Sequence, residues 1–373
     1  MHENFIKNYK ESIFSIPKSN SKAFEQKALE LFRFQSKYNS VYKKYIEKLN
    51  IDVLEVDSIY KIPFLPIRFF KSHTIQVEDV KTNQVFTSSG TTDITQRSRH
   101  AISDLGFYEK SSQFIFEELY KEYGKLSDFQ IFALLPSYLE RDGSSLIYMV
   151  DYFLKNAQPN SNYFLYDYEK LKNELEKATS KNPKQPILLL GVTFALLDFA
   201  DFLKENYPNY SLPKTKQFEG KNSVRNEIIV METGGMKGRK KEMVREEVHQ
   251  ILKTAFGVSA IDSEYGMTEL LSQGYAIKNT EKSNLDVDKN EIWFQTPSYL
   301  KIIVRDTNDP FDLKNIEGNT IQSGAINVID LANVESCAFI ETQDLGKINS
   351  KEEFQVLGRF DYSDVRGCNL LVL

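Results

Sequence analysis

Residues 228–269 read IIVMETGGMKGRKKEMVREEVHQILKTAFGVSAIDSEYGMTE, and the order of signals within them sets the fold. The apolar run 228–231 has strand length, and the pair Gly234-Gly235 breaks it. Met243, Val248, Ile251, Leu252 and Phe256 then recur near helical spacing. A second apolar run at 258–261 leads into a polar turn at 263–269. Strand, turn, helix and strand in this order are the repeat of a parallel sheet covered by helices.

The alternation continues upstream. Residues 129–135 form a short apolar run ending at Pro136, and 187–190 form another, followed from Gly191 by a predicted helix. Residues 103–123 predict an amphipathic helix with Phe107, Phe114, Ile115 and Leu119 on one side. A strand at 84–86 runs into TSSGTT at 87–92. Earlier still, Ala28, Leu31, Phe32, Tyr38, Val41, Tyr42, Tyr45 and Leu49 lie near helical spacing, and Pro63 and Pro66 impose an extended stretch. Beyond Trp293 the helices fade, and 301–304, 326–329, 339–341 and 354–357 read as strands between Gly, Asn and Asp turns. The prediction is an α/β protein, its body built of sheets covered by helices. It divides into a helical segment over 1–80, an α/β body over 81–290, a β-rich portion over 291–357 and a tail over 358–373.

Composition narrows the function. With 41% hydrophobic and 27% charged residues in a chain of 373, a large buried core is available. A net charge of -5 gives no basic face for nucleic acid. His2, His73, His100, His249, Cys337 and Cys368 show no zinc-ligand spacing and no disulfide framework, and two lone thiols suit a reducing compartment. The start MHENFIKNYK is polar, unlike a signal peptide, and the most apolar stretch, 187–203, is interrupted by Asp198 and Asp201. The expectation is a cytoplasmic protein without a membrane span.

In open α/β sheets, ligands bind beyond the carboxyl ends of the strands. Three polar, glycine-containing turns are predicted there, at 87–92, 232–238 and 263–269. The first surrounds Gly90 with the hydroxyls of Thr87, Ser88, Ser89, Thr91 and Thr92, and Arg97 and Arg99 follow. Backbone N–H groups of such a loop, with added hydroxyl donors, suit phosphate. A surface turn would read the same in isolation, and no Walker Gly-Lys-Ser/Thr follows. In the third turn Tyr265 offers a face for a base, and Glu269 is an oxygen ligand of the kind that holds Mg²⁺ with substrate phosphates. An acidic helix start is the competing reading of Glu269.

Taken together, these residues resemble the adenylate-forming superfamily of acyl-CoA synthetases, luciferases and peptide-synthetase adenylation domains. TSSGTT at 87–92 resembles its phosphate loop, and YGMTE at 265–269 its Tyr-Gly-x-Thr-Glu motif. Gly234 and Gly235 fall where the glycine turn lines the adenine pocket, Asp344 resembles the ribose-binding aspartate, and Arg359 resembles the arginine of the hinge motif. Thr268, Glu269, Tyr265 and Gly266 enter the expected site through the second motif. Within the superfamily, METGGMKGRKKE at 231–242 and VLGRFDYSDVRGCNLLVL at 356–373 look most like LuxE-type acyl-protein synthetases. That resemblance implies ATP and Mg²⁺, a fatty or other carboxylic acid, an acyl-adenylate, and transfer of the acyl group to Cys368 for delivery to a reductase or acyltransferase partner.

A thiolate is a good acyl acceptor, and Arg366 is near enough in sequence to lower the thiol pKa. Burial in the apolar run at 370–373 is the other reading of Cys368. Gly191, Phe194 and Leu197 are candidates to line the acyl chain. The sequence departs from the family pattern in Asp93, where a glycine is usual, and in carrying no lysine-bearing domain after 373. A CoA ligase and a non-catalytic nucleotide- or acyl-binding subunit therefore stand as alternatives.

Overall fold

A computed structural model describes residues 2–89, 97–135, 143–181, 185–212, 228–234, 243–277, 291–316 and 318–359. Helices α1 (His2–Ser12), α2 (Ser21–Tyr38) and α3 (Ser40–Lys48) open the chain, followed by the two-residue strand β1 (Leu65–Pro66) and the short helix α4 (Phe69–Ser72). Strands β2 (Gln84–Thr87) and β3 (Arg99–Ile102) then form a separate antiparallel hairpin. After α5 (Leu105–Leu119) the alternating region begins. It runs β4 (Gln130–Leu134), α6 (Ser145–Asn156), β5 (Asn162–Tyr163), α7 (Tyr168–Lys181), β6 (Ile187–Val192), α8 (Thr193–Asn206), β7 (Ile228–Thr233), α9 (Arg245–Phe256), β8 (Asp262–Tyr265) and β9 (Gly274–Ala276). Strands β10 (Leu300–Arg305), β11 (Leu313–Lys314), β12 (Gln322–Asp330), β13 (Phe339–Ile348) and β14 (Phe354–Arg359) complete it.

The α/β region makes a sheet in the order β5-β4-β6-β7-β8-β9, parallel throughout except for β9. Every residue of β4, β6 and β7 is buried, as a sheet with both faces covered requires. On one face α7, α8 and α9 pack through Tyr168, Phe199 and Phe256. On the other, Phe116 of α5 meets Phe153 of α6 and Phe129 beside β4. The later strands form a second, mainly antiparallel sheet in the order β1-β13-β12-β10-β11, with β14 also on β13. Phe339 of β13 packs against Phe32 and Tyr42 of the N-terminal helices. Helix α5 joins the two sheets, since Phe114 and Ser111 reach Tyr299 while Phe116 reaches Tyr275.

Two elements differ from the sequence reading. The last parallel strand is not the apolar run 258–261 but Asp-Ser-Glu-Tyr at 262–265, all buried. Its polar side chains have partners across the sheet and helices: Tyr120 donates to Asp262 at 2.8 Å, Ser263 meets His249 at 3.2 Å, and Thr233 donates to Glu264. Hydrogen-bond satisfaction lets a polar strand lie inside. The apolar run instead follows Gly257, whose φ of +67° ends α9 in a left-handed turn. Secondly, TSSGTT does not lie at the end of a parallel strand, because β2 belongs to the hairpin. No described helix is long and apolar enough to cross a membrane.

Candidate active site

From β4 the chain turns to one side to reach β5, then crosses back over to β6 on the other side. The carboxyl ends of β4 and β6 therefore flank a topological switch point, where open sheets bind ligands. The β2–β3 hairpin docks here. Thr87 N–H donates to the Gly143 carbonyl at 2.7 Å. Gly143 has φ +83°, and a Cβ there would lie 3.2 Å from Thr87 Oγ1 and from the Val85 carbonyl. The hairpin is closed at its loop end by Ser88 and Ser98: Ser88 N–H donates to Ser98 O at 3.1 Å, and Ser98 N–H donates to Ser88 Oγ at 3.0 Å. Thr87 and Ser88 are half-buried and Ser89 is exposed. Gly90, Thr91, Thr92 and Asp93 lie outside the described residues.

The turn after β8 faces this hairpin. Tyr265 donates its hydroxyl to Asp344 Oδ2 at 2.8 Å, and Arg359 Nε lies 3.1 Å from Asp344 Oδ1. Asp344 and Arg359 are directly opposite in the β13–β14 ladder, so the strand register makes this pair. The carboxylate is buried, with 8% of its side chain accessible, while the Arg359 side chain is 70% accessible. Burial first, and the charge of Asp344 second, hold the Tyr265 phenol well above its ordinary pKa, so it remains a donor.

Glu269 is buried at 5% exposure. Burial raises its pKa, opposed by a hydrogen bond from Ser98 and by the charge of Arg359. Its carbonyl accepts from Asn333 Nδ2 at 2.8 Å, and the preceding Thr268 carbonyl accepts from His100 Nδ1 at 2.9 Å. The next residues are fixed by Asp330, which accepts from Leu271 N–H, Ser272 N–H and Ser272 Oγ at 2.8, 3.1 and 2.6 Å. Gly266 is exposed, and a Cβ there would come 2.6 Å from Glu264 Oε1, so only glycine passes over that carboxylate without displacement.

At the end of β7, Gly234 is exposed with φ +70°, and Gly235 lies outside the described residues. Glu232 just before it is buried and linked to Thr193 at 2.8 Å and Arg245 at 2.9 Å. Burial raises the pKa of this carboxyl, but His249 and Arg245 together outweigh it and the net shift is downward.

Tyr265, Thr268, Glu269, Asp344 and Arg359 are thus gathered beside the Ser88 end of the hairpin. Cys368 and Arg366 lie outside the described residues. Gly191, Phe194 and Leu197 are core residues instead of a visible channel: a Cβ on Gly191 would sit 2.8 Å from Leu196 Cγ, and Phe194 and Leu197 are each 3% exposed. Among the described residues no group of three or more His, Cys, Asp or Glu is arranged to hold a metal by itself. The sequence reading missed Ser98, His100, Asp330 and Asn333, which hold the site's turn. The available signal was strand alternation, which turns Ser98 and His100 inward on either side of the exposed Arg99.

By sequence, the chain matches no protein-family model and no curated protein. By structure it is similar to 2-hydroxyisobutyryl-CoA ligase in the postadenylation state in complex with 2-HIB-AMP, with a TM-score of 0.60 at 13% identity. That match covers 91% of this chain and 68% of the ligase. An open conformation of the same ligase, in complex with 2-HIB-AMP and CoA, gives a TM-score of 0.58 at 13% identity and covers 90% of this chain and 74% of that one. The chain therefore shares the mixed α/β fold of that ligase.

Proposed function

We propose that this protein activates a carboxylic acid with ATP, forming an acyl-adenylate and releasing pyrophosphate. The observation that carries the proposal is the Tyr265–Asp344–Arg359 linkage, at 2.8 and 3.1 Å, standing beside the Thr268–Glu269 turn that the hydroxyl hairpin meets through His100. In this reading Asp344 accepts the ribose hydroxyls, Gly234 and Gly235 let the backbone approach the adenine, and Tyr265 and Gly266 shape the same wall. Thr87, Ser88 and Ser89, with Gly90, Thr91 and Thr92, offer donors to the phosphates. Arg359 brings an accessible positive charge to the reacting phosphate, and Thr268 offers a further hydroxyl.

The residues fit Mg²⁺ carried on the nucleotide. Mg²⁺ is commonly held by one or two carboxylates plus substrate phosphates, and Glu269 is a buried carboxylate on a turn fixed by His100 and Asn333. The ion would neutralise phosphate charge there. The substrate carboxylate displaces pyrophosphate from the α-phosphorus, and the protein's part is to align the two and stabilise the charge that develops.

For the second step we propose Cys368 as acyl acceptor, as in a LuxE-type acyl-protein synthetase acting on a fatty acid. The support is the tail sequence VLGRFDYSDVRGCNLLVL. Free CoA is the competing acceptor, favoured by the similarity to a CoA ligase solved with CoA. Purified protein incubated with Mg-ATP and a panel of labelled acids, with and without CoA, separates these. Acid-dependent AMP release with label on the wild type but not on Cys368→Ala supports self-acylation. Covalent label retained by Cys368→Ala rules out that acceptor, turnover only with CoA establishes the ligase, and no acid-dependent pyrophosphate release or ATP–pyrophosphate exchange with any acid refutes activation.

A further inference from the structure

We infer that His100 is a positioning residue of this site, tying the phosphate-loop hairpin to the Thr268–Glu269 turn so that the hydroxyl donors and the carboxylate keep one spacing. This rests on the ATP-activating reading above.

His100 lies in β3, 1% exposed, with its Nδ1 2.9 Å from the Thr268 carbonyl. A carbonyl only accepts, so Nδ1 carries the proton and Nε2 presents a lone pair. Nε2 is buried and has no hydrogen-bond partner among the described residues. Phe70 packs edge-on to the ring, with centroids 5.7 Å apart at 88°. Burial pushes the imidazole pKa down to about 4, so the ring is neutral at ordinary pH. As a space-filler this imidazole is a poor choice, because a phenyl ring would fill the site without dehydrating a lone pair. What phenylalanine cannot do is donate to Thr268.

That bond matters because of what it joins. The Thr268–Glu269 peptide is held by His100 on the Thr268 carbonyl and Asn333 on the Glu269 carbonyl. Asn333 belongs to the second sheet's side, whereas Ser98 and His100 belong to the strand side of the hairpin whose mouth is closed by Ser88. The His100 bond, from ring to backbone carbonyl, is thus a direct tie between the hairpin and the turn. Loss of such supporting contacts leaves the groups present but misplaced.

The test compares His100→Phe, which removes the donor, with His100→Asn, whose amide N–H can stand near the Nδ1 position. In acid-dependent ATP–pyrophosphate exchange, His100→Phe should raise the half-saturating Mg-ATP and lower kcat, together by roughly 10- to 100-fold, with the acid KM little changed. His100→Asn should recover most of this. Wild-type kinetics in His100→Phe, or no recovery in His100→Asn, overturns the inference. Amide hydrogen exchange on the ligand-free proteins provides an arm independent of chemistry: His100→Phe should speed exchange at 267–271 and in the hairpin, and His100→Asn should not. If the wild type shows no ATP chemistry, the activation reading fails while this arm still decides the tie. Should His100→Phe not fold, nitrogen NMR of the wild-type ring decides, an Nδ1–H tautomer supporting the tie and an Nε2–H tautomer overturning it.

Discussion

Asp344 is the residue on which the site's geometry turns, because one buried carboxylate accepts from Tyr265 and faces Arg359. Asp344→Ala leaves the buried Tyr265 hydroxyl without its acceptor and Arg359 without its counter-charge. Hydrogen bonds to charged groups contribute about 1.5–3 kcal/mol, so a loss of tenfold or more in ATP affinity is expected by calorimetry. A Tyr265→Phe variant, which leaves the Arg359 contact, should lose less. At the same scale His100 makes stability depend on pH. Its pKa falls from 6.5 to about 4 on folding, so between those values the unfolded chain binds a proton that the folded one refuses. Its contribution is complete above pH 6.5 and is lost as pH falls toward 4, by about 3 kcal/mol at most. Urea titrations at pH 7 and pH 4.5 should show that loss in the wild type and a smaller one in His100→Asn.

At the scale of elements, helix α9 is latched to β7 through Glu232, which meets Arg245 at 2.9 Å and Thr193 at 2.8 Å. Removing one partner of a buried pair strands the other. Glu232→Ala should destabilise by about 3 kcal/mol in urea, near the low end because Arg245 is partly accessible. Asp330→Ala should free residues 271–272 from the second sheet, and amide exchange there should quicken while β4 and β6 stay protected. The buried strands at 130–134, 187–192 and 228–233 were legible because they are short continuous apolar runs bounded by turns. The sequence pattern misplaces strand β8 because Asp262, Ser263 and Glu264 carry no apolar signal, and only their partners on other elements make them buried residues. For the same reason Asp344 and Arg359 were readable as motif members, but the register that pairs them was not. His100, Asp330 and Asn333 act through contacts more than 55 residues away in sequence, which no local pattern reveals.

At the scale of the molecule, the candidate site is a junction of three bodies: the parallel sheet, the β2–β3 hairpin and the second sheet. The parallel sheet provides the switch point and the turn after β8. The hairpin provides the hydroxyls, and the second sheet provides Asp344, Arg359 and the Asp330 and Asn333 anchors. No one of them holds the whole set. Binding a ligand across the junction should therefore raise the melting temperature; a nucleotide at 100 times its Kd adds about 2.7 kcal/mol. Whether the protein activates an acid is decided by acid-dependent exchange of labelled pyrophosphate into ATP. Exchange should require Mg²⁺ and a carboxylic acid and fall at least tenfold in Asp344→Ala; a correctly folded wild type that exchanges with no acid in a broad panel refutes acid activation.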